Sequence, residues 1–291
     1  MNKKSTGLRN SGVARTVNRI AIIPTMLTLG NAVCGFAAIA YAGKIGLPHQ
    51  AWSDDHYLAL CGWLIIAAMV FDALDGHVAR LAKATSKFGM ELDSLCDAIS
   101  FGAAPGFLLL RLGPTWETPV LHQALATIAT LYMVCAILRL ARYNVIETAA
   151  EGGASKRFRG LPSPAAAGCI ASLAIMRANL PPFADPGLTG KILQGWAMGG
   201  ALLVALLMVS RVPYPHMTKH LLRGRRHFDH IILLVLSVGV IALLQELALA
   251  VIFWGYVVVV LAQTALKRML HRDEVVLSFS GTDQQTDHKV G

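Results

Sequence analysis

The chain has 291 residues, 55% hydrophobic and only 15% charged, with a mean hydropathy of +0.53. That balance excludes an ordinary soluble domain and points to a single polytopic membrane domain. The net charge of +9 does not indicate a nucleic-acid partner, because the basic residues are spread over short segments between apolar runs rather than gathered on one face.

In chain order, a basic segment over 1–19 precedes the first of about eight apolar stretches, each long enough to cross a hydrocarbon core of roughly 30 Å. They are predicted at 20–43, 58–78, 92–110, 120–138, 161–176, 192–210, 231–245 and 247–265. The expected fold is an all-α, polytopic integral membrane helical bundle. A six-helix catalytic core is placed within 20–215, a C-terminal pair of spans within 216–266, and a polar tail over 267–291.

Ala40-Tyr41-Ala42 has the small residues of a signal-peptide cleavage site. The apolar run before it exceeds the roughly 7–15 residues of a signal core, so the first span is expected to be retained. Cys34, Cys61, Cys96, Cys135 and Cys169 sit singly in apolar stretches, without metal-type spacing, and imply neither disulfides nor zinc. With the N-terminus inside, 22 of the 26 Lys and Arg fall in inner segments; only Lys44, Arg111, Arg177 and Lys191 lie outside. The positive-inside rule then places both termini in the cytoplasm. The excess of positive charge also suits anionic membrane lipids.

The second and third spans carry the chemistry. They read Asp72-x-x-Asp75-Gly76-x-x-Ala79-Arg80, then eight residues, then Gly89-x-x-x-Asp93-x-x-x-Asp97. Asp72 and Asp75 share a helical face, as do Asp93 and Asp97. Gly76 and Gly89 allow a second helix or a phosphate to come close. Residues 81–88, with Lys83, Thr85, Ser86 and Lys87, read as a polar loop, so the two helices form a hairpin at the cytoplasmic face. A carboxylate at a membrane centre costs roughly 2.5–3.5 kcal/mol, so four together require compensation. A pair of divalent cations is the simplest source. Two such ions on carboxylates can stabilise attacking and departing oxygens at a phosphoanhydride. Arg80 can fork onto phosphate, and Asp97 can take a proton from an attacking alcohol.

This pattern resembles the signature of the CDP-alcohol phosphotransferases, membrane enzymes that move a phosphate-linked group from a CDP-activated donor to an alcohol and release CMP. Three further segments resemble its membrane-type phosphatidylserine synthase branch. They are Pro24-Thr25-Met26-Leu27-Thr28-Leu29-Gly30-Asn31 with Cys34-Gly35-Phe36, Arg139-Leu140-Ala141-Arg142-Tyr143-Asn144, and Phe158-Arg159-Gly160-Leu161-Pro162-Ser163-Pro164. The resemblance covers roughly the first 215 residues. It implies that Asp72, Asp75, Asp93 and Asp97 hold two ions, usually Mg²⁺ or Mn²⁺, with Asp97 also the general base. Gly76, Ala79 and Arg80 are implied for the CDP portion of the donor. Thr25 stands where the family often has Asn, which leaves Thr28 and Asn31 as the implied donor neighbours. The implied reaction converts CDP-diacylglycerol and L-serine to phosphatidylserine and CMP, in a homodimer of the cell's inner membrane with its site at the cytoplasmic face.

For the acceptor, Arg139 and Arg142, with Asn144, are candidates to meet a serine carboxylate, or else are arginines of an ordinary membrane boundary. Pro162 and Pro164 are expected to bend the chain into the fifth span. Three other readings stay open. One is a family member using glycerol phosphate, inositol phosphate or choline. Another is a divalent cation transporter, though neither a second acidic cluster nor an inverted repeat is visible. A polyprenyl-transferring enzyme would carry two separated acidic loops, whereas a single segment holds all four aspartates here.

Overall fold

A computed structural model describes residues 7–48, 50–82, 86–112, 119–151, 160–179, 186–210 and 247–264. All regular elements among these are helical: α1 (Gly7–Ala42), α2 (Asp54–Leu81), α3 (Lys87–Asp97), a π-helical turn (Ala98–Ala103), α4 (Ala104–Leu112), α5 (Pro119–Glu151), α6 (Ser163–Ala178), α7 (Pro186–Val209) and α8 (Leu247–Thr264). Among the described residues, six helical stretches are long and apolar enough to span a membrane, with α3, the π turn and α4 counted as one. The chain is an integral membrane protein.

The helix starts reflect local chemistry. Ser53 caps α2 by accepting from the His56 backbone N–H at 3.3 Å, and Asp54 and Asp55 complement the helix dipole. Ser86 caps α3, accepting from the Gly89 N–H at 3.0 Å. The expected break over 81–88 matches the gap between the end of α2 and the start of α3; residues 83–85 lie outside the described set.

α6 is central. Its residues from Ala166 to Ile175 are all buried, whereas the longer helices bury one stripe and expose the rest. Ala, Gly and Ser dominate that run, which suits close helix approach in lipid, where no hydrophobic force draws helices together. At 16 residues α6 is about 24 Å long, shorter than a full span. α2 packs against α1 and α6, and α5 against α7. α8 closes onto α6 and α7: Trp254 Nε1 donates to the Cys169 carbonyl at 3.3 Å, and Phe253 covers Gly168.

Several of the expected boundaries move: α1 starts at Gly7 rather than 20, and α7 at Pro186 rather than 192. α5 continues to Glu151, thirteen residues beyond the predicted end at 138. Charge ends an apolar run at Arg139, but arginine, leucine and alanine are good helix formers, so the helix itself continues. The third span begins at Lys87 rather than 92 and is interrupted by the π turn, where the Ala104 N–H reaches back to the Ile99 carbonyl. The predicted span at 231–245 and the tail over 267–291 lie outside the described residues.

Candidate functional site: an aspartate cluster above a buried Asn–Asp pair

The site lies where the C-terminal half of α2 faces α3, roofed by α1 and α5. Asp72, Asp75 and Asp93 bring one carboxylate oxygen each to within 4.8 Å of one another. Asp75 is buried, and its Oδ2 has no hydrogen-bond partner. Asp72 and Asp93 are half-buried. Carboxylates this close, one with an orphaned buried oxygen, have the donor set of a hard divalent cation. The residues therefore fit the ions that the sequence implied.

Asp97 lies one turn beyond Asp93, within electrostatic range of the other three aspartates. It is 8% exposed, and its Oδ1 accepts from the Asn31 side-chain nitrogen at 3.0 Å. The close triad is thus Asp72, Asp75 and Asp93, with Asp97 beside it and held from α1.

The grip of α1 on this region depends on a backbone contact. Ser100, in the π turn, donates to the Asn31 carbonyl at 2.9 Å. A Cβ on Gly35 would fall 2.6 Å from the Ser100 Cα, so only glycine lets α1 and the π turn meet. The extra residue of a π turn shifts the helical register of the residues around it. Asp97 and Ser100, three residues apart, both meet α1 at Asn31.

A cavity of about 290 Å³ opens beside the triad, lined by Thr28, Asp75, Gly76, Ala79, Arg80 and Asp93, among others. All the residues implied for the donor are therefore on its wall except Asn31, which sits with Asp97. The Arg80 guanidinium folds back along α2 over Gly76, with one nitrogen 3.5 Å from where a Cβ would stand. It faces both Asp75 and the cavity. Gly89 and the capped start of α3 form the opposite wall.

The acceptor candidates part company. Asn144 lines the cavity and accepts from Ser94 Oγ at 3.0 Å. Arg139 donates to Ser163 Oγ at 2.7 Å and lies within electrostatic range of Asp97 and Tyr256. Arg142 donates to the Val209 carbonyl at 3.3 Å, at the end of α7. The two arginines therefore tie α5 to the start of α6 and the end of α7. Between them, the Leu161 N–H donates to the Leu207 carbonyl at 3.0 Å. Gly160 has φ +96°, and a Cβ there would meet the Met208 carbonyl and an Arg142 nitrogen.

Sequence reasoning missed Ser94 and Tyr143, both on the cavity wall, and Tyr256 on α8. Ser94 is the residue directly after Asp93, so its place one position along α3 was available as a signal. Nothing in the pattern pointed to Tyr256.

Comparison with known proteins bears on this geometry. A family model described as CDP-alcohol phosphatidyltransferase matches residues 21–207, which hold the four aspartates and every cavity residue named above. A CDP-diacylglycerol–serine O-phosphatidyltransferase of Helicobacter pylori is 31% identical over 211 residues, covering 70% of this chain and 76% of that protein. One of the same name from Mycobacterium tuberculosis is 34% identical over 206 residues, covering 70% of this chain and 64% of its own. Another, from Methanocaldococcus jannaschii, is 36% identical over 152 residues, 52% of this chain and 62% of its own.

Proposed function

We propose that this chain, which belongs to the CDP-alcohol phosphatidyltransferase family, moves the phosphatidyl group of CDP-diacylglycerol onto the hydroxyl of L-serine, giving phosphatidylserine and CMP. The observation that carries the reading is the meeting of Asp72, Asp75 and Asp93 from two helices beside a cavity with an arginine on its wall. The choice of serine rests on the names of the similar proteins.

Asp72, Asp75 and Asp93 would hold divalent cations, Mg²⁺ or Mn²⁺, with Asp97 adjoining them. When bound, such ions neutralise the carboxylates and draw charge from the phosphoryl oxygens of a diphosphate. Arg80 donates its planar fork to the diphosphate. Gly76 keeps the helix surface open for that contact, and Thr28 and Ala79 shape the wall beside it. Asp97 takes the proton of the serine hydroxyl as its oxygen bonds to the lipid-linked phosphorus. The bond from that phosphorus to the bridging oxygen breaks, and CMP departs.

The basic residues at the predicted inner segments support a site at the cytoplasmic face of the cell membrane, where a water-soluble head group and lipid-embedded acyl chains can both be accommodated. Arg139 and Arg142, near the same end of α5, are candidates for the serine carboxylate, and two copies of the chain form the working unit. The test is CMP release by the purified full-length chain from CDP-diacylglycerol with Mg²⁺ or Mn²⁺ and a panel of alcohols. Release with L-serine and not with glycerol phosphate, inositol phosphate or choline is expected. Release with another alcohol, and not serine, would refute the assigned acceptor. Release with none, accompanied by cation flux in liposomes, would move the chain to transport.

A further inference from the structure

Asn31 has no solvent exposure and is held on two sides. Its side-chain nitrogen donates to Asp97 Oδ1 at 3.0 Å, and its backbone oxygen accepts from Ser100 at 2.9 Å. Its side-chain oxygen, in contrast, is buried with no hydrogen-bond partner. An acceptor atom in that state is costly, and buried polar groups nearly always have partners. The orphan oxygen shares one carbon with the nitrogen that grips Asp97. Whatever supplies its missing donor therefore stands next to the carboxylate assigned to the acceptor hydroxyl.

We propose that Asn31 reads the acceptor: its nitrogen fixes one oxygen of Asp97, and its orphan oxygen accepts a hydrogen bond from the ammonium group of an amino alcohol. The inference rests on the function proposed above and adds which group of the acceptor is recognised. The chemistry of the two partners supports it. An ammonium brings only donors, and it is drawn both to an amide oxygen and to an adjoining carboxylate. A phosphorylated acceptor brings acceptor oxygens and negative charge, which the same pair repels. In L-serine the amine and the hydroxyl are on neighbouring carbons, so both can reach groups that are themselves neighbours. Asn31 is thus a positioning residue for Asp97 and a specificity residue for the amine.

The test compares L-serine with 3-hydroxypropanoate, which keeps the hydroxyl and the carboxylate and lacks the amine. CMP release is read with the full chain in detergent micelles, CDP-diacylglycerol and Mn²⁺. Where turnover of the analogue is below detection, its inhibition constant against L-serine replaces kcat/KM. In Asn31→Ala, kcat/KM for L-serine is expected to fall about 100-fold and that for the analogue only about tenfold, with KM for CDP-diacylglycerol held. The preference for the amine narrows by about tenfold as a result. Asn31→Ser, a smaller change in polarity, is run beside it in case the alanine variant does not fold, and the same narrowing is expected. Equal losses for both acceptors would overturn the amine contact, as would a rise confined to KM for CDP-diacylglycerol. The unsubstituted protein is assayed first, and failure to release CMP with any alcohol would overturn the function itself rather than this reading of Asn31.

Discussion

Replacing Asp75 by asparagine is expected to reverse the sign of its stability effect according to whether metal is present. The variant keeps the shape of the side chain and removes one charge from the triad. With oxygens within 4.8 Å, each pair of charges repels by about 3.5 kcal/mol at an effective dielectric of about 20. Asp75 takes part in two of the three pairs, so the unscreened relief is about 7 kcal/mol. Water and counter-ions in the adjoining cavity screen most of this, leaving an expected gain of about 1–3 kcal/mol. That corresponds to a rise of roughly 3–10 °C in the melting temperature of the chelator-treated protein. With Mn²⁺ the ranking inverts. An ion at a thousand times its Kd stabilises the unsubstituted chain by about 4.1 kcal/mol, and the variant loses nearly all of that gain. The assay is thermal unfolding in detergent, monitored by intrinsic fluorescence, with chelator and then with Mn²⁺. A variant that melts lower than the parent in chelator, and gains as much from Mn²⁺, would refute the reasoning.

Other substitutions separate the parts of the site. Asp97→Asn should keep the Mn²⁺-dependent rise in melting temperature and lower turnover by about 10²–10⁴-fold, because it removes the base and leaves the triad intact; near-normal turnover would show that the proton goes elsewhere. Arg80→Lys should weaken donor use by about tenfold through KM for CDP-diacylglycerol, since an ammonium cannot fork onto phosphate; an unchanged KM would take Arg80 out of donor binding. Gly160→Ala should destabilise by about 1–3 kcal/mol, because φ +96° is strained for alanine and the added carbon meets the Met208 carbonyl; an unshifted melting temperature would show that the strap between α5 and α7 yields freely.

The site was more legible in the sequence than the packing around it. Aspartates in a membrane segment are expensive, so their register with Gly76, Gly89 and Arg80 stood out, and α2 and α3 do carry those residues on facing surfaces. What could not be read was which carboxylates meet. The hold on Asp97 was equally hidden: it depends on Gly35, which lets α1 approach the π turn closely enough for Asn31 to donate to Asp97, and that approach leaves no periodic mark. Arg139 and Arg142 show the opposite limit. They read as candidates for a serine carboxylate or as membrane-boundary arginines, yet they donate to Ser163 and to the Val209 carbonyl, contacts set by how α6 and α7 dock. Boundaries were misjudged where charge was taken for the end of a helix, as at Arg139 in α5.

The central claim is that Asp72, Asp75 and Asp93 form an ion site that serves the nucleotide-linked donor. The most direct measurement is a Mn²⁺ titration of the purified chain, reading the free-ion signal by electron paramagnetic resonance, with and without CDP-diacylglycerol. Saturable uptake of up to two ions per chain, tightened by the donor and lost in Asp93→Ala, is the predicted result. Equal uptake by the parent and the variant, or none by either, would contradict it.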